Sequence, residues 1–177
     1  MDFLNYHNVS VVLHLLGVVT GMGGAVASDL IFFSSIRDKK ISHDETRFLR
    51  LGSKMVWAGL AIIIISGVFL FFENTERYFN SAKFMAKMTI VAILTINGAV
   101  FHFVHMPRLH RYGDGRSAFL FVSGAVSIVS WTSALVLGVL GRLTYTYFEI
   151  MGVYVVFLLI AVACAILLKN KTASRLK

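Results

Sequence analysis

The chain has 177 residues, of which 57% are hydrophobic and 15% charged, with 15 phenylalanines, one proline and one cysteine. A soluble domain is nearer half apolar and about a quarter charged, so this composition excludes a disordered chain, a disulfide scaffold and an ordinary soluble enzyme. The net charge of +8 sits in short connectors between apolar runs, which points to a membrane surface and not to nucleic acid.

Five apolar runs are predicted to be helices, near 9–33, 54–72, 84–105, 117–140 and 147–168. Crossing a hydrocarbon core takes about 20 helical residues, and each run is long enough. None shows the period-two alternation of a membrane β-barrel. The first run lacks a basic leader and is too long for a cleavable signal segment. The expected fold class is therefore an all-α membrane protein, with residues 1–177 forming one integral membrane domain.

The connectors add local detail. Ser42-x-x-Glu45 has the spacing of a capping box, which predicts a helix starting near His43. Asn80 or Ser81 can cap the third run, and Asp114 or Ser117 the fourth, while Pro107 marks the end of the third. Thirteen of the seventeen basic residues fall in 36–54, in 106–116 or after 168, and the other connectors hold Arg77, Lys83, Lys87 and Arg142. By the positive-inside rule the N-terminus is expected outside and the C-terminus in the cytoplasm, in the inner (plasma) membrane of a prokaryote.

Polar residues inside apolar runs are costly and so become functional candidates. They fall into two layers. His14 and Lys87 lie near the outer ends of the first and third runs, while Asp29, Asn97, His102 and His105 lie deeper or near the inner ends. At 1.5 Å rise per residue, His14 and Asp29 are roughly 22 Å apart along one helix. His14 can therefore meet Lys87, and Asp29 can meet His102, but His14 cannot meet His102.

Below His14, Gly17, Gly21, Ala25 and Ser28 share a face of the first helix, and Ser123, Ser127, Ser130, Ala134 and Gly141 form a stripe on the fourth. Such stripes serve either as helix-packing seams or as a slot for a flat ligand. Met85 and Met88, at the depth of His14, offer thioethers that suit copper. Tyr145, Tyr147, Phe148 and Tyr154 read as an aromatic belt. Lys83 and Lys87 can alternatively snorkel to the interface.

The order of these motifs resembles a known family. Leu13-His14-Leu15-Leu16-Gly17-Val18-Val19, Arg47-Phe48-Leu49-Arg50 and Ala86-Lys87-Met88 together are similar to the HemJ-type protoporphyrinogen oxidase and CopD-like superfamily of small helical membrane proteins. The likeness covers roughly residues 8–140. It implies a four-helix core with haem b, its iron held by a first-span histidine and a third-span lysine, which match His14 and Lys87. Gly17 and Gly21 would then border the cofactor.

The chain departs from the family pattern in three places. Gly21 and Met22 stand where a tryptophan is usual, the fourth run lacks an acidic residue and a proline, and a fifth run is appended.

The expected function is a haem-binding membrane protein, a redox enzyme or electron carrier, with a porphyrin or quinone-type molecule as partner and a homo-oligomer as one state. Two alternatives stand beside it. A copper-like permease or chaperone would use Met85, Met88 and His14 as one site and Asp29, His102 and His105 as another. A non-catalytic accessory subunit would use the same polar residues only for packing.

Overall fold

A computed structural model describes residues 5–37, 42–107, 118–141 and 143–174. Asp114, Ser117, Arg142 and most of the basic connector after Pro107 lie outside the described residues. The elements are α1 (Tyr6–Arg37), α2 (His43–Glu73), a short α3 (Thr75–Phe79), α4 (Ala82–Val100), α5 (Ala118–Val139) and α6 (Tyr147–Ser174). Among the described residues there is no strand.

The helix starts follow from their caps. The Ser42 hydroxyl accepts from the Glu45 N–H, and the Glu45 carboxylate accepts from the Ser42 N–H at 2.6 Å, so α2 opens on the predicted capping box. Ser81, and not Asn80, caps α4 by accepting from Phe84 N–H. Thr146 and Glu149 form a second box at the head of α6: the Glu149 carboxylate accepts from the Thr146 N–H at 2.8 Å, and the Thr146 hydroxyl accepts from the Glu149 N–H. Lys83 Nζ donates to the carbonyls of Leu140 and Gly141, closing the end of α5 where a cation is favoured.

Five helices are long and apolar enough to cross a membrane: Tyr6–Ser34, His43–Glu73, Ala82–His105, Ala118–Val139 and Tyr147–Lys171. They fit a multi-pass membrane protein. Large apolar side chains cover the outside, with Val19 70% and Phe148 82% exposed. In lipid such exposure costs nothing, and the interior is chosen by close fit instead of by hydrophobicity.

That fit is tightest between α1 and α2. A Cβ at Gly17 would stand 3.0 Å from the Gly59 carbonyl, and one at Gly24 would stand 2.9 Å from the Gly52 carbonyl. A Cβ at Gly59 would overlap the backbone of Gly21. The two helices therefore run antiparallel with their backbones in contact. In the second unit, α5 packs on both α4 and α6. Ala25, Leu60, Ile63, Leu94 and Trp131 join the two units midway, and Phe32, Leu49, Met106, Leu120 and Phe121 join them at the Ser42 end.

Beyond Val100, α4 continues through a π turn, Phe101–His105, in which Met106 N–H donates to the Phe101 carbonyl. The wider turn departs from the 100° per residue of a regular α-helix, so it re-aims His102 and His105.

Candidate functional site

His14 is fixed by its neighbour on α2. Ser66, 2% exposed, donates its hydroxyl proton to the Ile62 carbonyl at 2.6 Å. Its oxygen is also hydrogen-bonded to His14 Nδ1 at 3.0 Å. A serine hydroxyl has one proton: with it on the Ile62 carbonyl the ring carries its hydrogen on Nδ1, and with it on the ring nitrogen the hydrogen is on Nε2. Gly67 packs beside the ring, where a Cβ would lie in ordinary contact at 3.6 Å from His14 Cε1.

Lys87 reaches the same place from α4. His14 and Lys87 both line a cavity of about 230 Å³, walled by Leu60, Ile63, Leu94, Trp131 and Leu135. Lys87 Nζ makes no hydrogen bond among the described residues and lies 3.9 Å from where a Gly138 Cβ would stand. No carboxylate lines the cavity. Depth alone paired His14 with Lys87, and the structure brings them together.

Other expected members are elsewhere. Gly17 and Gly21 form the α1–α2 seam, and Gly21 also receives the Trp131 ring, so this stripe is filled by protein and leaves no slot for a flat ligand. Met85 and Met88 are 45% and 49% exposed and do not line the cavity. Lys83, unlike Lys87, is spent on the end of α5. Of the aromatic belt, Tyr145 and Phe148 are exposed, whereas Tyr154 is buried and bonded to Ser130 at 2.9 Å.

The second layer does not form one site. His102 Nδ1 bonds to Ser53 at 2.9 Å, and His105 is buried and stacked on Phe119. Asn97 and Ser123 bond to each other across α4 and α5, at 3.0 and 3.1 Å. Asp29 lies instead against Gly124, where a Cβ would stand 2.9 Å from its Oδ1. Its Oδ2 is buried without a hydrogen bond, so the expected Asp29–His102 pair is absent among the described residues. The described residues also contain no cluster of three metal-ligating His, Cys, Asp or Glu side chains.

Two members were missed in the sequence. Ser66 is a lone hydroxyl in an Ile, Val and Phe run, at the depth of His14. Trp131 stands mid-span, where tryptophan is unusual outside an interface. It is 2% exposed, and its indole N–H has no partner among the described residues. Both were readable as oddities, but neither names its contact.

The donor types are ones haem iron takes: an imidazole whose Nδ1 is held by a hydrogen bond, as is usual for metal-bound histidines, and an amine lining the same apolar space. The cavity, about 230 Å³, is below the roughly 300–1,000 Å³ of pockets that enclose drug-sized ligands; because haem iron lies at the centre of its ring, seating it between these two side chains would require the walls to part. The chain matches no protein-family model, no curated protein and no solved structure.

Proposed function

We propose that the chain is a b-type haem-binding protein of the inner membrane, related to the HemJ and CopD superfamily, and that it works as a redox enzyme or electron carrier. One observation carries the reading. His14 and Lys87, the two positions that match the family's iron ligands, line one apolar cavity from separate helices, with His14 held at Nδ1 by Ser66. In this reading His14 Nε2 and Lys87 Nζ hold the iron, and the bound haem supplies one-electron chemistry. Ser66 orients the imidazole, while Leu60, Ile63 and Leu94 exclude water. The distribution of basic residues supports an N-terminus outside, which places the cavity in the outer half of the bilayer.

The test is an absorption spectrum of detergent-purified protein made in haem-replete cells, oxidised and then dithionite-reduced. A Soret band with split visible bands on reduction is expected for the unaltered chain. His14→Ala is expected to lose these bands while remaining folded, and Lys87→Ala to weaken or shift them. A flat visible spectrum from folded, unaltered protein, or full haem content in His14→Ala, overturns the reading.

A further inference from the structure

A second cavity, of about 670 Å³, lies between α4, α5 and α6. Its volume falls inside the roughly 300–1,000 Å³ range of small-molecule pockets. Its walls are apolar, chiefly Ile90, Ile128, Val136 and Phe157, with Glu149 at one mouth. The Glu149 carboxylate is taken by the Thr146 N–H and hydroxyl, and among the described residues no Lys or Arg lines the space.

Thr132 and Ser133 line this cavity, and neither makes a hydrogen bond among the described residues. Hydroxyls in a membrane helix ordinarily return their proton to the carbonyl four residues back, as Thr89 does to Met85 and Thr95 to Val91. Ser130, beside them in sequence, is paired with Tyr154. Thr132, exposed on the outer side of the groove, and Ser133, half-buried, do neither, which leaves two O–H donors along an apolar face that lipid would cover and where water is scarce. Ser133 is roughly 10 Å along α5 from Leu140, at 1.5 Å per residue. That depth is below the ester carbonyls of phospholipids, so the acceptor belongs to a molecule dissolved in the hydrocarbon interior.

We propose that this cavity binds a neutral, lipid-soluble carbonyl compound of the quinone class, with Thr132 and Ser133 donating hydrogen bonds to its carbonyl oxygen. The assignment stands on this cavity alone and does not depend on haem at His14. The two spaces share α5, which gives Gly138 and Val139 to one and Val136 and Leu137 to the other.

The test is native mass spectrometry of the full chain released from detergent, titrated with decylbenzoquinone or with decylbenzene, which has the tail but no carbonyl. The expected result is a saturable adduct of one decylbenzoquinone per chain and none of decylbenzene. In Thr132→Val/Ser133→Ala, two lost hydrogen bonds are expected to weaken the adduct about tenfold. Thr132→Ser, which keeps both hydroxyls, is expected to bind as the unaltered chain does and guards against a folding defect.

Equal uptake of decylbenzene overturns the proposal in favour of an unspecific apolar cleft. A retained phospholipid or a dimer that blocks the quinone overturns it in favour of those occupants, and undiminished binding in the double variant removes the role of the hydroxyls.

Discussion

Ser66 holds His14 through a single hydroxyl, and the consequence of removing it can be worked out in advance. In Ser66→Ala the His14 Nδ1 loses its hydroxyl partner and keeps only the Ile63 backbone beside it, and a buried polar group left unpaired costs about 1–3 kcal/mol. Ser66→Ala is therefore expected to unfold in detergent more easily by about that amount, and a haem-loaded sample is expected to show displaced visible bands. Ser66→Thr keeps the oxygen and is expected to preserve both properties. Denaturant unfolding together with reduced spectra of the two variants checks this, and an unchanged Ser66→Ala would mean that His14 is oriented by something else. Ser66 was hard to read in the sequence for a physical reason: its partner is 52 positions away. His14 and Lys87 were readable because depth along a helix follows directly from counting residues, whatever the neighbours are.

Helix seams behave differently, because a glycine can be either open or in contact. Ordinary helix physics favours alanine over glycine by roughly 0.5–1 kcal/mol. At Gly98 and Gly152 a Cβ would meet nothing within 4 Å, so Gly98→Ala is expected to raise stability by that much or leave it unchanged. At Gly59 the added methyl would overlap the backbone of Gly21, which cannot step aside as a side chain can. Gly59→Ala is expected to destabilise by about 1–3 kcal/mol, the usual cost of overpacking. Opposite signs in thermal unfolding of the two variants would confirm the seam, whereas a neutral Gly59→Ala would show that α1 and α2 do not touch there. The sequence showed the small-residue face below His14 through its periodicity, but periodicity gives the face and not the helix that covers it. Local signals such as Ser42–Glu45 and Ser81 needed no neighbour and were legible. The π turn at Phe101–His105 was not, because no local residue marks where a helix widens, and it aims His102 and His105 differently from a regular α-helix.

Two packed units, α1 with α2 and α4 with α5 and α6, enclose the His14 and Lys87 space where they meet, and charge distribution decides which way the assembly faces. The connector around α3 is poor in basic residues and the one before α2 is rich in them, so they are expected on opposite sides of the membrane. The chain carries its own control for testing this. Cys164 is exposed on α6, but it lies seven residues before Lys171, roughly 10 Å inside that end of the helix, where a polar thiol reagent finds no water. The unaltered protein is therefore expected to stay unlabelled in intact cells. Arg77→Cys places a thiol in α3 and, by removing a positive charge from the sparse side, strengthens the bias it tests. It is expected to react with a membrane-impermeant maleimide in intact cells. Asp44→Cys, at the start of α2, is expected to react only after permeabilisation. The reverse pattern would turn the molecule over, moving the His14 cavity to the cytoplasmic half while leaving its two nitrogen donors together, because their pairing rests on helix packing and not on orientation.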